Sequence, residues 1–220
     1  MKPEIDLIKK SVQNAERKNW NGWEFVRGTL AGREIVAVQT GVGKVLAALV
    51  TQHLIDEYSP SAIIMTGIAG SVNPEIRRGD ILVGRDCMQH DMDATLFGFK
   101  RGQIPYTDYR IIDSDPALVE TALAYGGEKI RSGRILTGDQ FISKAGTSEF
   151  AYLTEELGGD AVEMEGAAAG LTAKVNGIPF LLVRVISDNA DGEAKGNYLK
   201  FLAKASERSF HLIEYMLGKI

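Results

Sequence analysis

The sequence predicts an α/β fold in three layers, with a mixed, mostly parallel central sheet flanked by helices. Three observations carry this reading. Strand-length apolar runs alternate with helical patterns through the second half of the chain, as parallel strands covered on both faces require. The run SAIIMTG (61–67) is continuously apolar rather than alternating, the mark of a strand buried on both sides. The chain has 220 residues, about 45% of them hydrophobic, which suits one domain over 1–220, and no repeat, low-complexity tract or linker divides it.

The elements follow in order. EFVRGTL (24–30) and REIVAVQTG (33–41) are separated by Ala31-Gly32 and predict a hairpin with its turn there. KVLAALVTQHLIDEY (44–58) carries apolar residues at helical spacing. After the strand at 61–67 comes a second, GDILVG (79–84). Residues 86–112 show no clear period, and a loop of that length in a compact domain points to function or an interface. A helix runs from Asp115 to about Tyr125. IRSGRILTG (130–138) is a strand, and GTSEFAYLTEEL (146–157) a helix entered near Thr147 or Ser148. AVEME (161–165) is a strand, followed by the helix GAAAGLTAKVNG ending at Gly177. The most hydrophobic strand, IPFLLVRVISD (178–188), and a closing helix over about 195–217 complete the chain.

Composition excludes several classes of function. A formal net charge of -4 with a pI near 5.5 argues against nucleic-acid or anionic-membrane partners, and the longest basic cluster is the pair Arg77-Arg78. The single cysteine, Cys87, excludes an internal disulfide framework and reads as a buried thiol in a reducing compartment. The start, MKPEIDLIKKSVQ, has no apolar signal core, and no run approaches the roughly 18 residues of a spanning helix. The simplest location is the cytoplasm.

Charges interrupt two of the apolar strands. Residues two apart in a strand share a face, so an AVEME strand would point Glu163 and Glu165 the same way. In VRVISDNAD, Arg184, Ile186 and Asp188 share a face. A buried charge costs several kcal/mol unless it is paired, so Arg184 needs a carboxylate, and the two glutamates are the obvious donors. Such a pair can serve register alone. Asp188 lies at the C-terminal end of its strand, however, where ligands of open α/β sheets bind.

Thr-Gly pairs recur at strand ends, at 40–41, 66–67 and 137–138, as if at one edge of a sheet, each where a backbone could approach something closely. TGVGKV (40–45) fails the phosphate-loop pattern, which needs glycine at Val38 and a hydroxyl at Val45. His90-Asp91-Met92-Asp93 looks like a fragment of a metal site, but three histidines in all, with no helical HExxH, do not support one.

Five segments together resemble a known family: TGIAGS (66–71), HDMDATLFGFKRGQIP (90–105), TGDQFI (137–142), VEMEGAA (162–168) and RVISDNAD (184–191). In this order they are similar to the 5′-methylthioadenosine/S-adenosylhomocysteine nucleosidases of the nucleoside phosphorylase superfamily. The VEME and SD motifs indicate the superfamily; the HDxDxTxFGF segment points to the nucleosidase branch. The resemblance implies hydrolysis of an N-glycosidic bond that frees adenine, with no cofactor and no metal. It makes Asp188 the acid that protonates the leaving adenine and Ser187 the residue that orients it. It makes Glu165, with the Met164 backbone, a ribose clamp, and has Arg184 and Glu163 support the water and the carboxylate network. Phe141 would stack on adenine and the Ile142 backbone would read its edge, with Gly70 in the TGIAGS turn beside the nucleoside. Val42, Phe97, Phe99 and Pro105 would line the 5′-alkylthio pocket, partly from a partner subunit, which implies a homodimer.

Two positions depart from the family pattern. Family members open with a strand of the type IGIIGAM ahead of the glutamate that activates water, whereas here MKPEIDLI places Glu4 at that glutamate and the first strand is missing. Either the true start lies upstream or the sheet has lost a strand. Ile68 stands where serine or threonine is usual, which removes a hydroxyl expected near the ribose and water. A different nucleoside such as futalosine, a phosphorylase, and a nucleoside-binding homologue without turnover are the alternatives.

Overall fold

The computed structural model describes residues 2–127, 129–142, 147–188 and 198–220, without the side chains of 2–4, 188 and 198–202. Helix α1 (Lys2–Ser11) leads into an antiparallel meander of β1 (Gln13–Trp20), β2 (Trp23–Leu30) and β3 (Arg33–Ala37). Both of its turns are two-residue loops at positive φ, Asn21 (48°) with Gly22 (93°) and Ala31 (50°) with Gly32 (80°). This conformation matches the twist of the paired strands, and Asn-Gly is its strongest sequence signal. The second turn is where the sequence places it. The first, and the whole of β1, escapes periodicity because QNAERKNW is exposed along nearly all its length and carries no apolar alternation.

The remaining elements are α2 (Lys44–Tyr58), β4 (Ile63–Ser71), β5 (Ile81–Gln89), β6 (Ile112–Asp113), α3 (Pro116–Leu123), β7 (Ile130–Thr137), α4 (Tyr152–Glu155), β8 (Ala161–Glu163), α5 (Gly166–Val175), β9 (Phe180–Asp188) and α6 (Tyr198–Leu217). Local chemistry explains their ends. Asp115 caps α3 by accepting from the Ala117 and Leu118 amides at 3.0 Å each, with Pro116 in the first turn. The helix expected over 146–157 is instead a 3₁₀ turn, Ser148–Phe150, followed by the single turn of α4.

The second sheet runs β6-β5-β7-β8-β4-β9. Its long pairings, β4 with β9 and β5 with β7, are parallel, as is β7 with β8, while β4–β8, β5–β6 and β5–β9 are antiparallel. The β5–β9 pairing closes five strands into a ring, a closure that no local pattern in the sequence indicates. The cause lies in β5. Its first half, Ile81 to Gly84, pairs with both β7 and β9, and a register shift between Gly84 and Asp86 then turns the second half toward β6. Bulges bend and twist the strand that carries them. A Cβ on Gly84 would stand 3.0 Å from the Leu182 carbonyl oxygen, so glycine allows the approach.

Helices cover both faces of the sheet. One face packs Leu182, Ile186, Ile135 and Cys87 against Ala167, Ala169 and Ala173 of α5. The other packs Val183 and Val185 against Leu118 of α3 and Leu212 and Met216 of α6. Ile5 and Ile8 of α1 join Val26 and Leu30 of the meander and Ile213 and Leu217 of α6 in a third cluster. Helix α1 is thus anchored, and among the described residues no strand precedes it.

Small residues let α5 approach the sheet. A Cβ at Gly170 would lie 2.8 Å from the edge of the Phe180 ring and 3.2 Å from Ile112. Overpacking a filled core typically costs about 1–3 kcal/mol. Gly170→Leu should therefore lower stability by about that amount, read as a shift in the urea unfolding midpoint at unchanged slope. An unchanged midpoint would show that this contact is loose.

Candidate active site

The site is built around Arg184, in the middle of β9 and 1% exposed. Its register partner across β4 is Gly67, where a Cβ would come within 2.9 Å of the guanidinium. The glycine of Thr66-Gly67 therefore makes room for a buried arginine from inside a strand. Thr40-Gly41 follows the other sheet, so the three Thr-Gly pairs do not share one sheet edge, and only Thr137-Gly138 sits at the end of a strand.

Arg184 is neutralised by Glu163, Nη2 to Oε2 at 2.5 Å, and both side chains are 2% exposed. Glu163 also accepts from the Gly166 amide at 2.8 and 2.9 Å, from the Glu165 amide at 3.1 Å, and from the Thr137 hydroxyl. Thr137 Oγ1 in turn accepts from the Ala167 amide at 2.8 Å. The first amides of α5 are thus satisfied by a carboxylate and a hydroxyl from neighbouring elements, and the helix dipole further favours the negative charge there.

Glu165 does not share a strand face with Glu163. Strand β8 ends at Glu163, the chain bends at Met164, and Glu165 is the N-cap residue of α5, with φ -135° and ψ -39°. The α5 amides draw the chain out of the extended form, which a period-2 reading cannot foresee. The two carboxylates consequently do different things. Glu163 is committed inward. Glu165 keeps its side chain 18% exposed, stands 3.9 Å from Arg184 Nη2, and accepts the Gly43 amide at 3.0 Å. Burial pushes its carboxyl above the ordinary glutamate value; Arg184 and the Gly43 N–H pull it back, and Glu163 adds to the rise.

Strand β9 delivers the next residues. A register irregularity pairs Ala69 with Ile186 and then Gly70 with Asp188, so Ser187 falls at the shift; it is buried and donates to the Ala69 carbonyl at 3.3 Å. Asp188 closes β9 beside Gly70, but its side chain, like that of Glu4 on α1, lies outside the described residues. Ile68 pairs in register with Val185 and packs with the α6-face cluster, on the strand face opposite Gly67 and Arg184.

Beyond β7, the segment 138–142 carries an open aromatic on a buried anchor. Phe141 is 68% exposed, whereas Ile142 packs among Met88, Leu136, Leu153 and Val162. Under the start of this segment lies His90, 2% exposed, with Nδ1 2.9 Å from the Tyr152 hydroxyl; a Cβ at Gly138 would overlap its ring. Val42 and Phe97 are exposed at 63% and 78%, and Phe99 meets Tyr106 edge-on at 5.4 Å. Phe97, Phe99 and Pro105 all lie on the loop after β5 and belong to none of the buried clusters. That loop, expected from residue 86, begins only after Gln89, where β5 ends. Gly43, Lys44, Asp91 and Thr137 were not singled out by the sequence as contributors, although each lies in a motif that was, and the same is true of Asp139.

A model of the phosphorylase superfamily matches residues 1–218. The 5′-methylthioadenosine/S-adenosylhomocysteine nucleosidase of Tolumonas auensis is 34% identical over 224 residues, covering 100% of this chain and 96% of that protein. The structure of the nucleosidase of that name from Neisseria meningitidis, in complex with methylthio-immucillin-A, is similar at a TM-score of 0.92 and 30% identity, over 100% of this chain and 96% of that one. A futalosine hydrolase from Helicobacter pylori is similar at a TM-score of 0.91 and 29% identity, over 100% and 95%. With its ring of strands and its Arg184–Glu163–Glu165 centre, the chain belongs to the 5′-methylthioadenosine/S-adenosylhomocysteine nucleosidase family of the phosphorylase superfamily.

Proposed function

We propose that this protein hydrolyses the N-glycosidic bond of 5′-methylthioadenosine and S-adenosylhomocysteine, releasing adenine and the corresponding thioribose. The observation that carries the reading is the division of labour between the two glutamates. Glu163 neutralises Arg184 and holds α5, leaving Glu165 partly open beside the end of β9. A partly desolvated carboxylate next to an arginine is suited to accept hydrogen bonds from two sugar hydroxyls.

The reaction needs a proton on the leaving base and a nucleophile at the sugar carbon. Asp188 donates its proton to adenine N7 as the bond from C1′ to N9 breaks with its electron pair going to the base. Glu4 takes a proton from water, whose oxygen forms the new bond to C1′. Ser187 steadies the strand end that carries Asp188. Glu165 and the Met164 backbone hold the ribose while positive charge spreads over the sugar, with Gly70 beside them. Phe141 stacks on the adenine and the Ile142 backbone meets its edge, the buried Ile142 side chain fixing that backbone in place. Val42, Phe97, Phe99 and Pro105 form the apolar end for the 5′ substituent. The packing of α1 on α6 supports a defined position for the helix that bears Glu4.

The protein works as a cytoplasmic homodimer in this reading. Val42 just before α2, Val45 and Leu49 in its first turns, and Leu96 and Phe97 on the long loop are large apolar side chains left 46–90% exposed in one protomer. A second copy would cover them and complete the apolar end of the pocket. None of the described helices is long and apolar enough to cross a membrane.

The direct test is adenine release from methylthioadenosine in phosphate-free buffer, followed chromatographically. Hydrolysis gives adenine and methylthioribose; a requirement for phosphate would move the protein to the phosphorylases, and faster release from futalosine would reassign the substrate. Asp188→Asn should abolish turnover and leave adenine-analogue binding within about tenfold, because it removes a proton donor and leaves the pocket walls. Equal loss of both would remove Asp188 from its role. For Glu165 the sign follows from its raised carboxyl: ribose binding is present above that raised value and is lost as pH falls through it. The acidic limb of 1/KM should therefore lie at higher pH than an ordinary glutamate at 4.5 gives, and Glu165→Gln should abolish that limb. Sedimentation equilibrium should give about twice the 24.0 kDa chain mass, and a monomer would sink the shared pocket.

A further inference from the structure

Lys44 is the first residue of α2, and its helix lacks a cap of its own, since the N-cap residue Gly43 contributes no side-chain bond. The orphan amides are capped instead by carboxylates from far along the chain. Gly43 N–H donates to Glu165 Oε1 at 3.0 Å, and Lys44 N–H donates to Asp139 Oδ1 at 2.9 Å. The Lys44 side chain repeats the connection. Its Nζ lies 2.7 Å from Asp91 Oδ1 and 3.5 Å from Asp139 Oδ2, while the Asp139 N–H donates to Asp91 Oδ2 at 2.9 Å. Lys44, Asp91 and Asp139 thus form a closed cycle of charge-assisted bonds, and the Lys44 side chain is 17% exposed. Burial pushes the Asp91 carboxyl up, but the Lys44 ammonium and the Asp139 N–H outweigh it and hold Asp91 below its ordinary value.

The cycle ties together segments that reach different parts of the pocket. Lys44 follows Val42, Asp91 opens the loop that carries Phe97, Phe99 and Pro105, and Asp139 lies two residues before Phe141. Gly43 extends the tie to Glu165. Gly43 sits at φ 93°, and a Cβ there would stand 3.3 Å from Asp139 Oδ1. The turn is therefore shaped for this contact. An isolated pair at a protein surface is worth about 0–1 kcal/mol, too little to require such an arrangement for stability alone.

We infer that Lys44 and Asp91 are positioning residues that clip the 139–142 segment and Glu165 into their binding geometry without touching substrate. This inference rests on the pocket assigned under the proposed function. Misplacing residues that position the substrate by about 1 Å can cost on the order of a hundredfold in rate, so even a small slackening of the clip is measurable. The clip acts on binding, so its loss falls on KM more than on the chemical step.

The test uses the full chain with Lys44→Met, Asp91→Asn and the double variant. KM for methylthioadenosine should rise about tenfold or more in each single variant, with kcat within about threefold. The double variant should be no worse than the poorer single one by more than about twofold, because both substitutions open the same cycle. Amide hydrogen exchange over 138–142 should accelerate in all three. Unchanged KM and unchanged exchange in the single variants would overturn the clip, and so would effects that multiply in the double variant. If the wild-type chain releases no adenine from methylthioadenosine, the proposed function fails while the exchange experiment still decides the clip: faster exchange over 138–142 supports it and unchanged exchange overturns it.

Discussion

The buried pair of Arg184 and Glu163 is the constraint on which the rest of the site depends. Neither charge could stay in the interior alone, since removing one partner of such a pair typically costs about 3–5 kcal/mol. The pair dictates its surroundings. Gly67 must lack a side chain because the guanidinium occupies that space, and Thr137 turns its hydroxyl to Glu163. The first amides of α5 close over the same carboxylate. One ion pair therefore joins β4, β7, β8, β9 and α5 at a single point, and fixes where β8 stops being a strand.

Closure of the sheet serves the same centre. Because β5 pairs with both β7 and β9, the strand bearing Arg184 is gripped from two sides, by β4 and by β5. Its C-terminal end carries a register irregularity that leaves Asp188 paired with Gly70, close to where β8 also pairs with β4. Glu165 and Phe141 sit just past strand ends, while apolar side chains of the strands beneath them pack against the flanking helices. Rigidity and accessibility are separated in this way: Ile142 is buried and Phe141 beside it is open; Glu163 is buried and Glu165 is partly open.

Helix α6 gives α1 a fixed seat through Ile5 and Ile8, and the meander completes that seat with Val26 and Leu30. The 90–111 loop takes the opposite course, leaving Leu96, Phe97 and Tyr106 uncovered. Apolar side chains of that size are the ones a folded chain most often buries, so their exposure sets this loop apart from the packed body.

The sequence by itself determined the alternation of elements, the Ala31-Gly32 turn, α2 from Lys44 to Tyr58, the Asp115 cap and the family, because each is written in local periodicity, turn chemistry or a contiguous motif. It also showed that Arg184 needs a carboxylate, since an isolated charge in an apolar strand is costly wherever it lies. It did not show β1, whose polar residues carry no period, even though the Asn-Gly pair at its turn is a strong hairpin signal. Nor did it assign different roles to Glu163 and Glu165, because amides that arrive from α5 decide where the strand ends. The ring closure and the cycle of Lys44, Asp91 and Asp139 were likewise decided only by the tertiary structure. They join residues tens of positions apart, through charges and amides whose partners are fixed by how the elements pack and leave no trace in the spacing along the chain.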